Sequence, residues 1–122
     1  GEDSGYVPYT CFSALESYIQ AHPDIIQAFT NAIQKGLNYV GSHTPAEIAD
    51  VIHPQFEETD TDKLIAIIDR YAAQDTWKND CIFTEEAFTL LQNILDQAGE
   101  LTERVDYDTL ITTEFAEKAA QK

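Results

Sequence analysis

From Tyr6 to Leu15 the chain runs Tyr-Val-Pro-Tyr-Thr-Cys-Phe-Ser-Ala-Leu, rich in aromatic and β-branched residues. Such residues suit a pleated strand. Pro8 has no amide hydrogen to give to a ladder, so the first half reads as an edge or lead-in segment. The pattern predicts a short strand at Tyr9–Phe12, with Cys11 as a small buried hydrophobe upon it. Beyond it the apolar spacing changes from alternation to a period of about 3.6, the signature of amphipathic helices.

Local signals place the helix ends. Ser13-Ala14-Leu15-Glu16 has the form of a capping box and predicts a short helix from Ala14 to Ala21. His22-Pro23 breaks it, because the residue before proline avoids helical dihedrals, and Pro23 suits the first turn of a second helix. That helix carries Ile26, Phe29, Ile33, Leu37 and Val40 on one face, with Ile25 alongside, and ends near Gly41. Thr44-Pro45-Ala46-Glu47 is a second box, opening a helix with Ile48, Val51 and Ile52 that stops at His53-Pro54. Thr59-Asp60-Thr61-Asp62 leads into Leu64, Ile65, Ile68, Tyr71 and Ala72, its acids complementing the helix dipole. Thr84 caps a helix bearing Ala87, Phe88, Leu91, Ile94, Leu95 and Ala98, with Gly99 as a left-handed stop. Two short helices are expected near Tyr107–Ile111 and from Thr113 to Ala120.

The fold class expected is mainly α: five or six amphipathic helices after one short strand, without a repeat or linker to divide them. The lone strand is the anomaly. Its amides and carbonyls need a sheet to complete them, so a strand followed only by helices reads as the end of something larger.

Charge narrows the function. Twenty-two Asp and Glu against seven Lys and Arg give a formal net charge of -15 over 122 residues. A surface this negative repels phosphate backbones and anionic lipid alike. The apolar share, 43%, is too high for a disordered acidic tail. The start, Gly-Glu-Asp-Ser-Gly, has neither a basic nor an apolar leader segment. Met is absent throughout, so the first Gly is expected to be the remnant of a trimmed chain.

Candidate chemistry is sparse. The acidic run Glu57–Asp62 invites calcium, but no central Gly follows and the next residues are apolar, so helix capping explains it better. His22, His43 and His53 sit beside helix ends with no metal-ligand spacing on one face. There is no Gly-x-Ser-x-Gly elbow, no Cys with a neighbouring His, and no glycine-rich phosphate loop. The reading is therefore non-catalytic, with no cofactor and no metal. Cys11 and Cys81 do not make a disulfide framework, and whether they pair is open. Trp77 either stacks on a ligand or plugs the gap between two helices, the plug being the ordinary role.

One resemblance covers the chain from about Gly5 to Lys118. It is carried by the order of strand, helix, Pro-Asp break, long helix and Thr-Pro-Ala-Glu helix. It continues through Gln74-Asp75-Thr76-Trp77, Ile82-Phe83-Thr84-Glu85-Glu86-Ala87-Phe88, Ala98-Gly99-Glu100-Leu101 and Thr112-Thr113-Glu114-Phe115-Ala116. Together these resemble the C-terminal third of bacterial ABC-transporter substrate-binding proteins of the branch associated with nitrate, sulfonates, taurine and the pyrimidine precursor of thiamine. Cys81 and Asp106 depart from it, standing where such proteins often have proline.

The resemblance implies a two-lobed α/β fold of the type II periplasmic-binding-protein kind. It implies an extracytoplasmic protein, periplasmic or lipid-anchored, that delivers a small polar ligand to a membrane permease driven by an ATPase. Residues 1–122 would be a partial domain: 5–12 a crossover segment and returning strand, 13–122 the helical finish of the first lobe. Of the ligand-binding positions only Tyr9 and Thr10, near the crossover, would face the cleft. The competing reading is a stand-alone acidic helical protein-interaction module, which would need a dimer or strand exchange to satisfy Tyr9–Phe12.

Overall fold

A computed structural model describes residues 5–121. Among them the chain is mainly α, with no strand. The helices are α1 (Glu16–Ala21), α2 (Pro23–Ser42), α3 (Pro45–Ile52), α4 (Thr61–Ala73), α5 (Glu85–Gln97), α6 (Tyr107–Leu110) and α7 (Glu114–Ala120). A single 3-10 turn, His53–Gln55, continues α3, because Pro54 can open such a turn but cannot extend the helix before it.

Residues 5–15 are irregular, so the strand expected at Tyr9–Phe12 is not formed. A strand exists by pairing, and among the described residues there is no strand for this segment to pair with. Cys11 is accordingly exposed rather than buried, and both cysteines are free. The box expected at Ser13 fails as well. α1 starts at Glu16 behind Leu15, without a side-chain cap; the Leu15 carbonyl accepts from the amides of Tyr18 and Ile19 at 3.0 and 3.1 Å. Glu16 Oε1 instead takes Gln20 Nε2, one turn on, at 3.1 Å.

The other signals held. The Thr44 amide donates to Glu47 Oε2 at 2.8 Å while the Glu47 amide donates to Thr44 Oγ1 at 3.3 Å, a complete capping box. Those bonds favour the charged carboxylate and hold the Glu47 pKa below its ordinary value, through the Thr44 amide first and the Thr44 hydroxyl second. Thr84 Oγ1 caps α5 by accepting from the Ala87 amide at 3.2 Å. α4 and α5 end alike. The Thr76 amide reaches the Tyr71 carbonyl and the Asp75 amide the Ala72 carbonyl, as Glu100 reaches Leu95 and Gly99 reaches Asp96. This is the Schellman arrangement, which needs a left-handed residue just past the helix. Gly99 supplies it at φ +74°, Asp75 at φ +52°.

The best-buried cluster joins α3 to α4 through Ile48, Ala49, Leu64 and Ile68, with Tyr39, Val40, Ile52, Ile65 and Trp77 packed around it. Ala49 lets the two helices approach closely. α2 packs against α7, whose buried side is Phe115, Ala116 and Ala119, and α1 folds back on α2. The apolar stripe of α2 is only half of its interface. The buried residue of α2 is Gln34, flanked along the helix by Gln27, Asn31 and Asn38. Gln27 Nε2 donates to Asn31 Oδ1 at 3.0 Å and to the Phe115 carbonyl of α7 at 2.9 Å. Gln34 Nε2 repeats this on Asn38 Oδ1 and the Asn79 carbonyl, at 2.9 and 2.8 Å. Gln92 clamps the tail in the same way. Its Nε2 donates to the Val105 carbonyl at 3.1 Å and its Oε1 accepts from the Val105 amide at 2.8 Å.

Three measurements check these assignments. Ile68→Ala is expected to lower unfolding free energy by about 3 kcal/mol in denaturant titration. Gln92→Leu is expected to cost about 2 kcal/mol by the same method, since both Val105 backbone groups lose their partner. Thr44→Ala should cost about 1 kcal/mol at neutral pH. Because the folded Glu47 pKa is depressed, its contribution is present above the ordinary carboxylate range and lost as pH falls through the folded value. The gap between Thr44→Ala and the parent should therefore narrow in acid.

Candidate functional site

Tyr9 and Thr10 lie on the irregular segment ahead of α1, and both are exposed. Tyr9 stands out from the helical body at 98% exposure. The segment is held on either side of them. Gly5, at φ +85°, runs past α5 near Leu90. Tyr6 Oη donates to Asp75 Oδ2 in the α4–α5 connection at 2.8 Å, and Val7 and Pro8 are half-buried. The bond to Asp75, and the negative charge behind it, raise the Tyr6 pKa above its ordinary value. On the far side Phe12 meets Phe29 of α2 edge to face, centroids 5.0 Å apart.

Trp77 takes the role of a plug. Half-buried, it packs against the α3–α4 cluster and meets Tyr71 edge to face at 5.9 Å. The connection that carries Asp75 is thereby fastened to the best-packed part of the molecule. Further along it, Lys78 donates to the Ile82 carbonyl and the Ile82 amide donates to Asp80 Oδ1 at 2.9 Å. Partial burial and the nearby Asp80 charge raise the Cys81 pKa, against the opposing pull of Lys78. A raised thiol is a poor nucleophile, which fits a structural cysteine.

The histidines are spent on helix ends. His43 stacks on Tyr39 at 3.6 Å between centroids, with Nδ1 2.8 Å from the Tyr39 carbonyl. His22 lies tilted on Tyr18 at 4.7 Å, and His53 sits in the 3-10 turn. Among the described residues no group of three His, Cys, Asp or Glu is placed to hold a metal ion. Among the same residues no helix is long and apolar enough to cross a membrane.

Two open depressions lie elsewhere. One, of about 380 Å³, is bordered by Ile67, Arg70, Tyr71 and Gln74 on the outer side of α4. The other, of about 510 Å³, is bordered by Glu85, Glu86, Thr89, Leu90 and Asn93 on α5. Neither includes Tyr9 or Thr10. On the leading segment Tyr6, Phe12 and Leu15 are all at least 74% exposed, and on α2 Ile25 and Phe29 are exposed as well.

This chain is similar to a binding protein. It is 38% identical over all 122 residues to the Bacillus subtilis (strain 168) protein named "Putative binding protein YtlA". The alignment takes in the whole chain but 36% of that relative, so the chain spans about a third of its length. No family model matches the chain, and no solved structure matches it. The relative's name points to binding.

The sequence reasoning missed the amide line Gln27–Asn31–Gln34–Asn38. Its spacing of four, three and four is the helix-face period, and it was legible had polar as well as apolar residues been tracked. The Tyr6–Asp75 bond was not legible, since nothing local relates positions so far apart.

A test of the plug is Trp77→Phe against Trp77→Ala. The first is expected to stay within about 1.5 kcal/mol of the parent and the second to lose about 3 kcal/mol or more, read by thermal and denaturant unfolding.

Proposed function

We propose that this chain is the helical part of an extracytoplasmic solute-binding protein, which captures a small polar molecule and hands it unchanged to an ABC permease and its ATPase. The observation that carries the reading is the 38% identity, along the entire chain, to a protein named for binding. The order of motifs quoted above supplies the finer class. In this reading residues 5–12 cross between two lobes, and Tyr9 and Thr10 face the cleft. A tyrosine clear of its own helical body can lay its ring on a solute and offer its hydroxyl, and Tyr9 is so placed. The exposed apolar side chains near it supply surface for the rest of such a protein to cover.

The test uses the protein translated from the whole reading frame, titrated calorimetrically with taurine, an alkanesulfonate, nitrate and an aminopyrimidine. One of these is expected to bind with micromolar affinity, and Tyr9→Ala is expected to weaken it about tenfold. The 122-residue chain alone is expected to bind none of them. A whole protein that binds none, and that fractionates with the cytoplasm, would overturn the reading in favour of a protein-interaction module.

A further inference from the structure

The left-handed residue that ends α4 carries an inference beyond the site itself. α4 and α5 close with the same pair of backbone hydrogen bonds, and both need a residue at positive φ. α5 uses Gly99 for it; α4 uses Asp75, the one non-glycine residue at positive φ among those described. Glycine would meet the backbone demand without steric cost, whereas a β-carbon there is strained. Whatever favours aspartate must come from its side chain. That carboxylate has one hydrogen-bonding partner among the described side chains, the Tyr6 hydroxyl at 2.8 Å, from a position 69 residues away. The connection that holds Asp75 is stiff, tied by Trp77 to the Ile48–Ile68 cluster. Tyr6 is the second described residue of the leading segment, beside the left-handed Gly5 that sets its path along α5.

We infer that the Tyr6–Asp75 hydrogen bond is a latch that fixes the register of residues 5–12 on the helical body, making Asp75 a positioning residue for Tyr9 and Thr10. The second half of this inference rests on the solute-binding reading; the latch itself does not. Three residues of chain span at most about 10 Å, so the Tyr9 backbone stays within that reach of the pinned Tyr6 backbone. A latch slipping by one residue would carry Tyr9 and Thr10 to other positions on the helical body.

Three variants of the protein translated from the whole reading frame test this: Tyr6→Phe, Asp75→Gly and Asp75→Asn. Asp75→Gly relieves the backbone strain but removes the acceptor, so its melting temperature is expected to hold or rise. At the same time chymotryptic cleavage mapped to residues 6–12, measured without solute, should quicken about fivefold, since cleavage follows the population of released segment and one net hydrogen bond is lost. Tyr6→Phe keeps an aromatic cleavage site and should match it. Asp75→Asn keeps a carbonyl oxygen for the Tyr6 hydroxyl and tolerates the left-handed region, so cleavage should stay within about twofold of the parent. Unchanged cleavage in both Tyr6→Phe and Asp75→Gly would overturn the latch. Faster cleavage with unaltered affinity for the panel solute that binds would overturn the positioning role. If taurine, alkanesulfonate, nitrate and aminopyrimidine all fail to bind the parent, the solute-binding reading and the positioning role fall together, while the cleavage arm still decides the latch.

Discussion

Most of this molecule hangs on one helix and on the way that helix mixes apolar and amide contacts. α2, at 20 residues, is about 30 Å long, and four other parts of the chain are fastened along it. α1 folds back at its start and α7 lies across it. The α4–α5 connection hangs from Gln34. Its last turns bring Tyr39 and Val40 to the α3–α4 cluster. Two of these attachments are made by glutamine amides that donate at once to a neighbour on α2 and to a backbone carbonyl elsewhere. Such a donor fixes register more sharply than a methyl group does, because a carbonyl shifted by one residue no longer meets it. The cost is visible too. Gln27 Oε1 and Gln34 Oε1 are both buried without a hydrogen-bond partner, a penalty of about 1–3 kcal/mol for each such atom.

Apolar burial is spread over few positions. Among the described residues eight hydrophobic ones are buried, and no large side chain is fully enclosed. Meanwhile Tyr6, Tyr9, Phe12 and Leu15 of the leading segment and Ile25 and Phe29 of α2 put apolar surface into solvent. The caps, the Schellman ends and the glutamine clamps add fixed polar joints between and at the ends of the helices.

How much of this was legible follows from the range of each interaction. Helix ends at Thr44, Thr84 and Gly99 depend on atoms within a turn of one another, so three or four letters of sequence suffice. Leu64 and Ile68 share a face by period alone, and they became the core. The strand at Tyr9–Phe12 failed because composition can supply β propensity but not a partner. Ser13 failed for a similar reason. A capping box competes with whatever the preceding chain does, and Phe12 packs on Phe29 while the helix opens behind Leu15. Tyr9 and Thr10 were singled out on resemblance, and the structure places them on exposed, irregular chain.

The leading segment shows how a few distant bonds can make irregular chain specific. Left free from Gly5 to Leu15, it would sample many paths, and ordering one residue costs roughly 1–2 kcal/mol of backbone entropy. Tyr6 is pinned at Asp75 and Phe12 at Phe29. The freely wandering length shrinks to the few residues between, and loop-closure cost shrinks with it. Val7 and Pro8 stiffen the near side of that span, since proline fixes its own φ and restricts the residue before it. The residues left over are Tyr9, Thr10 and Cys11, the most exposed stretch between two anchors. A bridge that short, with a tyrosine at its exposed point, has few paths open to it, because each end is already placed.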